Sequence, residues 1–108
     1  MSLLEDLLAL QMRAVQLPKP DREVTLVPGR RFRFDFVWPE HHLALEVDGG
    51  EWIAGRHQRP TGFRADAEKF SLAAVHGWRV MRCTGSMVKD GTCLKLIEQA
   101  MKGRTNDV

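Results

Sequence analysis

Apolar residues near the start of the chain fall at helical intervals. Leu3, Leu4, Leu7, Leu8, Met12 and Val15 follow spacings of three and four, with one polar interruption at Gln11. Ser2 with Glu5 three residues later fits a capping box, which marks where the helix begins. Pro18 and Pro20 end it. Arg22 to Val27 then reads as a strand and Pro28-Gly29 as a turn.

The period changes to two in the next segment. Phe32, Phe34, Phe36 and Trp38 alternate with Arg33, Asp35 and Val37; Leu43, Leu45 and Val47 alternate with Ala44, Glu46 and Asp48. Pro39-Glu40-His41-His42 between them has the length of a hairpin loop. A symmetric hairpin sets Trp38 opposite Leu43. Counting back from there places Asp35 opposite Glu46 and Arg33 opposite Asp48.

Gly49 to Gly62 lacks a clean period and reads as a long loop, a length that in compact domains is often functional. A helix is expected from about Phe63 to His76, with Phe63, Ala67, Phe70 and Ala74 on one face and Gly77 as its stop. Trp78 to Cys83 reads as a strand, and Thr92 to Lys102 as an amphipathic helix carrying Leu94, Ile97 and Met101. The order is α-β-β-β-α-β-α. A helix crossing over after the third strand should lay the fourth parallel to a predecessor. The fold class is therefore α/β, a mixed sheet flanked by helices.

Length confines this to one domain, residues 1–108. The formal net charge of +2 is too small to argue for nucleic acid, but Arg30, Arg31 and Arg33 cluster, as do Arg56, His57, Arg59 and Arg64. Two cysteines without a CxxC pair exclude a disulfide framework and a cysteine-rich zinc site. Neither a signal-peptide pattern nor a run long enough for a membrane span is present, so a cytoplasmic setting without a membrane partner is expected.

Two carboxylates opposed across a hairpin lie roughly 5 Å apart at Cβ. Like charges at that separation repel by about 3 kcal/mol at an effective dielectric of about 20. A cation or a proton relieves this. Mg²⁺ suits the place, because it takes oxygen ligands, binds through one or two carboxylates, and completes its shell with water and phosphate. Spacing alone is equally consistent with a solvated hairpin face for Asp35 and Glu46, and Asp48 reads as the cross-strand partner of Arg33.

Phe32-Arg33-Phe34-Asp35-Phe36, Leu45-Glu46-Val47-Asp48-Gly49-Gly50 and Gly55-Arg56-His57 together resemble the PD-(D/E)XK nuclease superfamily. The likeness is greater to its small phage and bacterial members related to the very-short-patch-repair endonucleases. Gly62-Phe63, Asp66, Lys69, Gly77-Trp78-Arg79-Val80 and Arg82 extend it, so it covers about Phe32 to Met87. The resemblance implies a restriction-endonuclease-like αβββαβ core, with Asp35, Glu46 and the Val47 carbonyl as metal ligands. One position departs: Asp48 stands where the motif has its lysine. In the superfamily that lysine is found moved to the following helix, which here is Lys69. Lysine-free sites also occur, which would give the work to Glu46, Asp48, His57 and Asp66.

Residue by residue, blander readings stand beside these. Asp66 and Lys69 are three apart, which a surface ion pair explains. His57 suits a general base or phosphate donor and equally an exposed loop histidine. Trp52 is the stacking candidate, and Arg56, Arg59 and Arg64 are the phosphate contacts. The reading is a Mg²⁺-dependent endonuclease of DNA (Mn²⁺ substituting), with action on branched or otherwise structured DNA as a sub-reading, and a homodimer if both strands are cut. The alternative is a non-catalytic DNA-binding module or subunit that retains the fold.

Overall fold

The computed structural model describes residues 2–49 and 60–103. Its elements are α1 (Leu3–Ala14), β1 (Asp21–Thr25), β2 (Arg33–Trp38), β3 (Leu43–Asp48), α2 (Pro60–Val75), β4 (Arg79–Thr84), α3 (Gly85–Lys89) and α4 (Thr92–Gly103), with a 3₁₀ turn at Pro39–His41. The expected order holds, with one addition. α3 is only five residues long and is capped by Thr84, whose hydroxyl accepts from the Met87 amide. α2 begins earlier than expected, at Pro60, a residue suited to a first helical position. It ends before Gly77, which takes φ +91°.

The strands form one sheet in the order β1-β2-β3-β4. β1–β2 and β2–β3 are antiparallel and β3–β4 is parallel, so α2 is the crossover that the parallel pair requires. The hairpin register is the expected one: Trp38 pairs with Leu43, Val37 with Ala44 and Phe36 with Leu45.

Each sheet face carries its own core. Leu8 and Met12 of α1 and Cys93 and Ile97 of α4 pack on Phe36, Trp38, Leu43, Leu45 and Cys83. On the other face Ala73 and Phe70 of α2 cover Phe34, Val37 and Ala44. Phe34 and Phe36 thus belong to opposite faces although they are two residues apart, and the strict alternation expected of β2 fails between them. The break falls on Asp35. On β1, pairing runs through Arg22–Phe36 and Val24–Phe34 and skips Glu23 and Asp35. Glu23 takes φ +57°, a left-handed conformation that costs a non-glycine residue on the order of 1 kcal/mol. Phe63, expected in the core, is 67% exposed.

Candidate active site

Where β2 leaves the alternating pattern, the Asp35 side chain takes over a backbone role. Its Oδ2 accepts the Val47 amide at 2.7 Å, at the point where the β2–β3 ladder has ended one pair short of Asp35 and Glu46. This fixes the half-buried carboxylate against β3. Carboxylate oxygens of Asp35, Glu5 of α1 and Glu23 of β1 lie within 4.8 Å of one another. Burial raises the Asp35 pKa above the usual carboxylate range; the Val47 hydrogen bond opposes the rise and Glu23 adds to it.

Glu46, one residue before Val47, belongs to the sheet face that α2 covers. Its Oε1 accepts from Lys69 Nζ at 2.9 Å. Lys69 itself is buried, with its ammonium 4.5 Å from the centre of the Phe34 ring, so the cation is held by a carboxylate and an aromatic face together. The surface ion pair expected between Asp66 and Lys69 is therefore replaced by a longer-range partner for each. Burial raises the Glu46 pKa in spite of the Lys69 hydrogen bond, and the Asp35 charge pushes the same way.

Glu5 was the functional candidate that sequence reasoning missed. Ser2 Oγ accepts from the Glu5 amide at 3.1 Å, as a cap should. The Glu5 carboxylate, which the pattern assigns to the reciprocal half of the capping box, turns instead to β1 and lies 3.6 Å from Arg22 Nη2. Its Oε1 is buried and accepts no hydrogen bond among the described residues. Burial is also the main reason its pKa is raised, followed by the charges of Asp35 and Glu23. Three carboxylates within reach of one another, one of them with a buried oxygen that accepts no hydrogen bond among the described residues, are a donor set that fits a hard divalent cation.

Asp48 has a different partner from the one expected. Arg82 Nη2 lies 3.1 Å from Asp48 Oδ2 and 3.1 Å from Asp66 Oδ2, so one guanidinium ties β3 to α2. The parallel register brings this about, since Arg82 pairs with Glu46 on the neighbouring strand. Arg33 lies instead 3.9 Å from Glu23, its near neighbour across the β1–β2 pair. Arg64 is exposed on α2. Trp52, Arg56, His57 and Arg59 lie outside the described residues.

The structure thus brings Asp35, Glu46, the Val47 backbone and Lys69 to one end of the β2–β3 hairpin and adds Glu5 and Glu23. It draws Asp48 and Asp66 aside onto Arg82. Among the described residues no helix is long and apolar enough to cross a membrane.

No family model matches the chain, and no curated protein does. One solved structure is similar: the homing endonuclease I-Bth0305I catalytic domain, with a TM-score of 0.72 over 98% of this chain and 100% of that one, at 16% sequence identity. The four-stranded mixed sheet with helices on both faces is accordingly a fold that this chain shares with that catalytic domain.

Proposed function

We propose that the chain is a divalent-metal-dependent endonuclease that hydrolyses DNA phosphodiester bonds, with its site at Asp35, Glu46 and Lys69. The observation that carries this reading is the buried Lys69 ammonium 2.9 Å from Glu46, next to an Asp35 carboxylate held by the Val47 amide. Two acids and a lysine drawn from a strand, its neighbour and the crossover helix can hold a cation and stabilise charge on a phosphate, which is what phosphodiester hydrolysis needs. The fold shared with an endonuclease catalytic domain supports the same reading.

Asp35 and Glu46, with the Val47 carbonyl, would hold Mg²⁺ or Mn²⁺, and Glu5 would complete the set from α1. Bound there, the ion polarises a phosphoryl oxygen and lowers the pKa of water. Lys69 faces the same place from α2; its ammonium stabilises negative charge developing on the phosphate and, through Glu46, is kept in one orientation. The lysine-free arrangement is less well served, because Asp48 and Asp66 already share Arg82. Arg64 on α2, with Arg56 and Arg59, would bind backbone phosphates, and Trp52 and His57 would assist as stacking and proton-transfer or phosphate-donor groups. Structured or branched DNA is the substrate class this reading favours, with a homodimer needed to cut both strands together.

The test is the fate of supercoiled plasmid with purified protein in Mg²⁺, Mn²⁺ or chelator, beside calorimetric Mn²⁺ titration. Nicking that needs the ion, lost together with Mn²⁺ binding in Asp35→Asn, is the expected result. DNA binding without any cleavage in either metal would leave a non-catalytic DNA-binding module and end the proposal.

A further inference from the structure

A cleft lies at the C-terminal end of α1, with Arg22 between it and the acidic cluster. The end of α1 turns through Gln16 at φ +60°, and the Leu17 amide reaches back to the Met12 carbonyl at 3.1 Å. Trp38 Nε1 donates to the Pro18 carbonyl at 2.8 Å, pinning the connector that follows. Between helix and connector is a cleft of about 380 Å³, a volume in the range of small-ligand sites. Met12, Leu17 and Pro18 give it apolar walls, and Arg13, Lys19 and Arg22 supply its charge.

Its electrostatics are one-sided. No acidic side chain lines the cleft among the described residues. Arg13 and Lys19 are exposed and make no ion pair among the described residues, whereas Arg22 is committed to Glu5 and Asp6. An apolar slot with two uncommitted cations at its mouth is complementary to a flat apolar group joined to an anion. A nucleotide has that form: its base would lie against Leu17 and Pro18 above the buried Met12, and its phosphate would meet Arg13 and Lys19. Paired bases are stacked and closed to such a slot, so the occupant has to be unpaired.

Position links this to the candidate active site. Met12 is seven residues beyond Glu5 on the same helix, about 10 Å along its axis at ~1.5 Å per residue. That is roughly three base steps at the ~3.4 Å rise of one strand. We infer that the α1 cleft seats an unpaired nucleotide roughly three steps from the phosphate presented to Asp35 and Glu46, so that the enzyme selects DNA with a local single-stranded segment. This rests on the nuclease reading above and adds to it the substrate feature that is recognised.

Fluorescence anisotropy of the full chain with chelator present reads binding without turnover. Two labelled probes are compared, a blunt duplex and the same duplex with a three-nucleotide single-stranded extension. Seating one base should give about tenfold tighter binding of the extended probe, the effect of ~1.4 kcal/mol. The Arg13→Ala/Lys19→Ala variant should lose that preference, and so should Ala9→Trp, which fills the cleft. Equal preference in wild type and the charge variant overturns the inference, as does displacement by polyglutamate as readily as by single-stranded DNA. Wild-type protein that prefers neither probe yet nicks plasmid in Mg²⁺ ends this inference and leaves the nuclease reading standing; protein that neither binds nor nicks ends both.

Discussion

Lys69 and Glu46 are 23 residues apart in sequence and 2.9 Å apart in space, in an ion pair most of whose surface is out of water. A charge pair so placed is an indifferent way to stabilise a fold, since desolvation offsets much of its attraction. Removing only the lysine, however, leaves the Glu46 carboxylate largely buried without its partner, a loss on the order of 3 kcal/mol in metal-free protein. Lys69→Met is expected to melt well below wild type in chelator, to recover part of that loss with Mn²⁺, which it should bind at least as well, and to cleave on the order of 10²-fold more slowly. Near-wild-type single-turnover rates in that variant would remove Lys69 from the site.

Asp48 offers the matching control. It shares Arg82 with Asp66 in a pair about one-third exposed, which is worth on the order of 0.5 kcal/mol. Asp48→Ala should lose about that much stability and keep its cleavage rate. If Asp48→Ala and His57→Ala disable cleavage while Lys69→Ala is silent, the lysine-free site is the working one.

Asp35 does two things that two substitutions distinguish. Alanine leaves the part-buried Val47 amide without its acceptor, a loss of about 1–3 kcal/mol, partly offset by relief of repulsion from Glu5 and Glu23. Asparagine keeps an acceptor and removes the charge. Metal-free Asp35→Asn should then be at least as stable as wild type and Asp35→Ala less stable, with both inactive. Denaturant midpoints measured in chelator decide this, and equal destabilisation of the two variants would show that the carboxylate carries a charge-dependent structural role instead.

Stability should depend on pH in an unusual direction. Glu5, Asp35 and Glu46 all have pKa values raised in the folded state, from ordinary values of 4.5, 3.8 and 4.5. Below the ordinary values both states are protonated and the stability these groups contribute is fully present. As pH rises from the ordinary values through the raised folded ones, the unfolded chain ionises before the folded one, and that stability is lost. Metal-free protein should therefore become more stable as pH is lowered through the raised folded values toward the ordinary carboxylate values. Divalent cation should flatten that dependence by stabilising the ionised set. Glu68 and Asp90, whose pKa values are lowered, act in the opposite sense only at lower pH. Thermal melts across that range, with and without Mn²⁺, read the sign directly; a Tm that falls with acidification throughout would contradict it.

Salt dependence tests the nucleic-acid side. About three phosphate contacts, from Arg56, Arg59 and Arg64, should give a slope of log affinity against log salt near −2.7, flattened by about one unit in Arg59→Ala. A slope near zero would show these arginines to be solvated only.

Local pattern carried the half of the hairpin next to its turn: alternation on either side of a four-residue loop set the Trp38–Leu43 register as far as Phe36–Leu45, while the expected Asp35–Glu46 and Arg33–Asp48 pairs lie beyond the end of the ladder; the crossover helix implied the parallel strand that follows. It carried less where long-range geometry overrides local rules. α3 is too short to show a helical period. Glu5 had a sufficient local explanation in the capping box, which hid its approach to Asp35 from another element. Arg82 is 34 residues from Asp48, and only the parallel register reveals that they meet. The turn of Phe34 and Phe36 to opposite faces leaves no mark in an alternating string, because the residue type is the same on both sides of the break.

Those two phenylalanines give the candidate site an unusual mechanical setting. Phe34 is anchored under α2 and Phe36 under α1 and α4, and the single residue between them is Asp35. Slippage of either helix layer therefore pulls on the same short piece of backbone. Trimming a side chain remote from the acids, such as Ile97, is expected to reach the carboxylate as a change in orientation. In this small domain, variants that only loosen the interior are expected to lose metal binding before they lose cooperative folding.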